Sequence, residues 1–163
     1  MTSRTRTTIL VGNIVLLAAL ILIAQTQTRS AVGTWKLNVQ KSDFGSVPAP
    51  KAMTIVVTED TKDKVTWKAT GTSPDGKKIN ESYSGSVDGN ANPVKGSPTG
   101  EESVAYTRNP DGTVTVVTKD KSGQEVAHGT ISWSEDGKTM TLKNTRKSPG
   151  GDMNYTEVYD KVK

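Results

Sequence analysis

From residue 33 onward, apolar and polar residues alternate in short runs of period two, each cut off by turn-forming residues. Met53, Ile55 and Val57 alternate with Thr54, Val56 and Thr58, and Val65, Trp67 and Ala69 alternate with Thr66, Lys68 and Thr70. Ile79, Glu81, Tyr83, Gly85 and Val87 share one face, with Asn80, Ser82 and Ser84 opposite. Val104, Tyr106 and Arg108 form the next set, followed by Val114 and Val116. Val126, His128 and Thr130 oppose Ala127, Gly129, Ile131 and Trp133; Met140 with Leu142, and Tyr155, Glu157 and Tyr159, mark two more. Such alternation, rich in Val, Thr and Tyr, is the mark of half-buried strands.

The interruptions are as regular as the strands. Pro74-Asp75-Gly76, Asp88-Gly89-Asn90, Asn109-Pro110-Asp111-Gly112, Asp120-Lys121-Ser122-Gly123 and Glu135-Asp136-Gly137 all carry turn chemistry. Hairpins between nearest neighbours predict an all-β fold, an antiparallel up-and-down meander of roughly eight to ten strands. No helical period follows residue 31, which argues against crossover helices and an α/β fold. Closing the meander into a barrel removes both open edges and requires only one apolar face per strand; a two-sheet β-sandwich is the alternative. Asn90 to Gly100, with Pro93 and Pro98, reads as a loop across one mouth, with at most a short strand at Pro93-Val94-Lys95.

The first thirty residues change the picture of where this domain works. Arg4 and Arg6 precede an almost wholly apolar run from Ile9 to Ala24, and a polar stretch follows to Ser30. This layout predicts a secretory signal peptide over residues 1–30, or alternatively an uncleaved anchor, ahead of a domain spanning 31–163. The apolar run is shorter than the ~20 residues a bilayer-spanning helix needs. On either reading the domain lies outside the cytoplasm, secreted or periplasmic, and touches a membrane only through the leader.

Charge adds little. The formal net charge of +4 owes three arginines to the leader, leaving 18 basic against 17 acidic residues in the domain, so nucleic acid is not an expected partner. The chain has no cysteine and one histidine, which excludes disulfides, thiolate catalysis and Cys-ligated metal, and no metal or cofactor is expected. Neither a Gly-x-Ser-x-Gly elbow nor a phosphate-cradling loop is present, so the chain does not read as an enzyme.

Gly33-Thr34-Trp35 at the head of the first strand resembles the Gly-x-Trp signature that opens lipocalins. The longer run through Lys36-Leu37-Asn38, Lys41-Ser42, Phe44, Pro48 and Pro50 looks like the start of small bacterial secreted lipocalin-like proteins. The resemblance implies a calycin-type barrel; closing the meander pairs the first strand with the last, around Tyr155 to Lys161, and makes Trp35 the plug of one end, with Gly33 letting the chain cross close beneath it. The chain departs from lipocalins in three ways. It lacks the Thr-Asp-Tyr signature and the disulfide, and no arginine follows the last strand to stack on Trp35, only Lys161 and Lys163. Arg146 falls in a turn on this reading.

By alternation Arg108 shares a face with Val104 and Tyr106, Glu81 with Tyr83, and His128 with Val126. Inside a barrel, Trp67, Glu81, Tyr83, Tyr106, Arg108 and His128 form a ligand-binding set, with Arg108 and the tyrosine hydroxyls able to hold a carboxylate. Arg108 paired with Glu81, merely satisfying the interior, is the bland alternative. The expected function is non-catalytic binding of a small apolar or amphipathic molecule. A filled barrel acting through its outer surface as an envelope interaction module is the alternative.

Overall fold

The computed structural model describes residues 30–97 and 103–163. The leader expected over residues 1–30 lies outside the described residues except for Ser30. Ten strands follow in chain order: β1 (Gly33–Leu37), β2 (Ala52–Asp60), β3 (Lys64–Thr72), β4 (Lys78–Ser86), β5 (Asp88–Lys95), β6 (Ser103–Arg108), β7 (Val114–Lys119), β8 (Glu125–Trp133), β9 (Thr139–Arg146) and β10 (Met153–Lys161). Each pairs antiparallel with its sequence neighbours, and β1 pairs with β10, closing an up-and-down barrel. The closing ladder aligns Trp35 with Lys161 and Leu37 with Tyr159. A sandwich is thereby excluded.

Because the strand number is even, the molecule has two distinct ends. Residues 30 and 163 and the β2–β3, β4–β5, β6–β7 and β8–β9 hairpins gather at one end, and the remaining connections at the other. The Asn109–Thr113 turn shows how the hairpins are made. Gly112, at φ 85°, donates its N–H to the Asn109 carbonyl at 3.0 Å, while the Asp111 carboxylate caps the Thr113 N–H at 2.9 Å.

Two stretches differ from their sequence reading. Asp88 to Lys95 is a full strand rather than a mouth loop, although only Ser82 with Lys95 and Tyr83 with Val94 join it to β4. Pro93, which donates no backbone hydrogen bond, is tolerated because this ladder is so short. The rest of that expected loop, residues 98–100, lies outside the described residues. Arg146 ends β9 instead of lying in a turn.

Trp35 is fully buried at the end that holds residues 30 and 163, and its indole N–H donates to the Ala31 carbonyl at 2.7 Å. Lys161 Nζ lies 5.1 Å from the ring centre. Gly33, at φ 142°, has no room for a Cβ, which would run into the Lys163 carbonyl oxygen and the Lys161 side chain. The residues after β1 fasten the closing strand from outside. Ser42 Oγ donates to the Asn38 carbonyl at 2.7 Å and accepts from the Val158 N–H at 2.9 Å. Asn38 Nδ2 and Lys41 Nζ reach Asp160 at 2.7 and 2.9 Å.

Candidate functional site

Among the described residues, two chambers are lined within the barrel interior. The first, about 230 Å³, lies toward the end with residues 30 and 163 and is lined by Ile55, Val57, Ile131, Trp133, Met140 and Leu142 among others. The second, about 300 Å³, extends to Pro50, Pro74 and Ser97 at the opposite end. Met53, Trp67, Glu81 and Glu157 line both and form the waist between them. Period-two alternation explains the lining. Ile131 faces Val114 and Leu142 across the β7, β8 and β9 ladders, and Leu142 faces Glu157, so these residues make one continuous inward row.

Arg108 projects into the first chamber, but its partner is not Glu81. Its guanidinium Nη2 forms a short ion pair with Asp60 and donates to the Thr61 carbonyl at 2.6 Å. The Asp60 side chain is only 4% exposed, and its other oxygen accepts the Ala31 N–H at 2.5 Å. The cause is a bulge in β2. The β2–β3 register shifts between Val57 and Glu59, so Asp60 lies opposite inward-facing Val65 instead of pointing out. Arg108 Nε is buried and meets no acceptor among the described residues. An Arg already neutralised this way is a weaker carboxylate anchor than the sequence implies.

The aromatic residues pack as a cluster beside the waist. Trp67 stacks on Tyr83 with ring centres 5.8 Å apart, and Tyr106 meets Tyr83 edge-on at 5.1 Å. Trp67 Nε1 donates to the Tyr106 hydroxyl at 3.0 Å. Burial pushes the Tyr83, Tyr106 and Tyr159 phenols above their ordinary range. Glu157 is the more informative group. Burial pushes its carboxyl up to about 7, the Glu81 charge adds to the push, and the Tyr159 hydroxyl opposes it. Among the described residues, no group of three or more His, Asp and Glu side chains is arranged to hold a metal ion.

Of the six residues predicted for the site, Trp67, Glu81, Tyr83, Tyr106 and Arg108 come together in the interior. His128 does not. Ala127, Gly129, Ile131 and Trp133 supply the inward face of β8, and His128 is exposed on the outer one. A register shift between Thr118 and Lys119 sets Glu125 opposite Lys119. Glu125 meets His128 Nδ1 at 2.9 Å and Lys147 Nζ at 3.2 Å. Sequence reasoning missed Asp60, which the bulge turns inward, and Glu157, which lies in plain alternation between Tyr155 and Tyr159.

The fold, a closed ten-stranded antiparallel up-and-down barrel, is shared with solved structures of low sequence identity. It is similar to the wild-type fluorescent protein UnaG, with a TM-score of 0.56 and 17% identity over 81% of this chain and 97% of that one. A UnaG point mutant gives 0.57 and 17%, over 82% and 96%. Zebrafish ileal bile acid-binding protein complexed with cholic acid gives 0.54 and 12%, over 80% and 98%. No protein-family model and no curated protein sequence matches the chain.

Proposed function

We propose that the protein is a non-catalytic barrel, carried outside the cytoplasm by its leader, that binds a small apolar or amphipathic molecule in its interior. The observation that carries this reading is the pair of chambers, which leaves the barrel unfilled along its apolar lining. An unfilled apolar interior with a few convergent polar groups is the usual form of a small-molecule site. A similarly folded barrel holding cholic acid adds support. The chambers weigh against the alternative of a filled barrel that works through its outer surface.

The test is to purify the protein from its native host and examine it by native mass spectrometry with lipid extraction. A co-purifying small molecule, or a rise in melting temperature with members of a panel of apolar and amphipathic compounds, is the expected outcome. An empty protein whose melting ignores the whole panel would count decisively against ligand binding.

A further inference from the structure

We propose that the molecule bound in the chambers carries a positively charged nitrogen, an ammonium or quaternary ammonium group, seated at the waist among Glu81, Glu157 and Trp67. This rests on the ligand-binding reading above and names its chemical class. The four waist residues, Met53, Trp67, Glu81 and Glu157, include two carboxylates and an indole but no cation. An indole and carboxylates together are what a desolvated ammonium requires, since the ring quadrupole and the charge both attract it. The polar edge of Trp67 is occupied by Tyr106 and one face of its ring by Tyr83, so the other face is what remains for apolar and cationic contact.

Charge balance points the same way. Among the described residues, the carboxylates lining the chambers are Asp60, Glu81 and Glu157, and the guanidinium groups are Arg108 and Arg146. His128 borders the second chamber, but its ring pairs with Glu125 on the outer face. Among the described lining residues, three carboxylates stand against two guanidinium groups when both glutamates are ionised, and Arg108 is already committed to Asp60. A monovalent cation offsets the surplus of carboxylates among these lining residues, whereas a carboxylate ligand adds to it.

The empty protein lowers the same imbalance with a proton. Glu157 faces Glu81 across the waist, with Tyr155 and Tyr159 on its own strand, the Asp60–Arg108 pair in one chamber and Arg146 in the other. Its raised affinity for a proton means that an arriving cation displaces that proton near neutral pH. Binding is therefore coupled to proton release and tightens as the pH rises.

The experiment compares three probes with the same hydrocarbon tail, decyltrimethylammonium, decanol and decanoate, each titrated below its micellar concentration into the full-length chain by calorimetry. The quaternary probe has no proton of its own, so any release reports on the protein. The expected order is cation, then alcohol, then carboxylate, with proton release on cation binding and tighter binding at about pH 8 than at about pH 6. Glu157→Gln should weaken the cation by about tenfold while moving decanol by less than about twofold. Glu81→Gln should act in the same direction and serves if the first variant does not fold. Decanoate binding at least as tightly as the cation and depending on Arg108, or a folded Glu157→Gln or Glu81→Gln variant with unchanged cation affinity, would overturn the cation assignment and leave the ligand-binding reading intact. Failure of all three probes to bind would overturn both.

Discussion

Trp35 and Lys161 stand opposite each other in the ladder that closes the barrel, and the lysine ammonium lies 5.1 Å from the centre of the indole. The first and last strands are thus joined by a cation over a ring as well as by backbone hydrogen bonds. No arginine follows the last strand, and Lys161, which ends β10, is the cation over the tryptophan. A lysine meets the electrostatic requirement, though without the flat stacking surface of a guanidinium.

Closure by this pair makes Trp35 a stability residue. Trp35→Ala removes a fully buried side chain and the hydrogen bond to Ala31, and should cost about 3–5 kcal/mol in chemical denaturation. Unchanged stability would show that Trp35 does not plug the barrel.

The waist gives the protein an unusual pH dependence. Glu157 holds its proton up to about pH 7 in the folded state, whereas its ordinary value is 4.5. Between those values the folded state binds more protons than the unfolded chain. The contribution is therefore full below about 4.5, declines through the window and is lost above about 7, up to roughly 3 kcal/mol in all. Glu157→Gln should be more stable than the parent at about pH 8 and should show a flatter profile across the window. Urea denaturation of both proteins over that range decides it.

Asp60 and Arg108 should behave as a unit. Asp60→Asn leaves the guanidinium uncompensated in a largely buried place and should destabilise by about 3–5 kcal/mol. Adding Arg108→Met to that variant should recover much of the loss, because no buried charge then remains at this position. A double-mutant cycle measures the coupling, and additive losses would show that the pair is not coupled.

His128→Ala should change stability by less than about 0.5 kcal/mol and leave probe binding unaltered, since the ring lies outside the barrel. A clear loss of binding would place the histidine in the site after all.

Most of the barrel can be read from the chain because half-buried strands write their faces into the sequence. Val65, Trp67 and Ala69 are inward residues in alternation, and so are Tyr106 and Arg108. Where the parity is broken, the reading fails for a physical reason. The β2 bulge turns Asp60 inward, so the partner of Arg108 cannot be counted out from Val57. β8 carries apolar residues on both faces, Val126 on one and Ile131 on the other, and a one-residue choice decides where His128 goes. β5 hides because Asp88, Gly89, Asn90, Asn92 and Pro93 look like turn residues. Glu157 shows no signal in its residue type, since a carboxylate in a strand usually faces water. Only the closed ring of neighbours makes it a group of the interior.

The even strand number has a practical consequence for handling the molecule. Residues 30 and 163 leave the barrel at the end sealed by Trp35, while the second chamber extends to Pro50, Pro74 and Ser97 at the far end. A tag, fluorophore or surface linkage fused at residue 163 would therefore point the far chamber away from the attachment. Tethered biosensors built from this barrel can be fused at residue 163 without covering the far chamber.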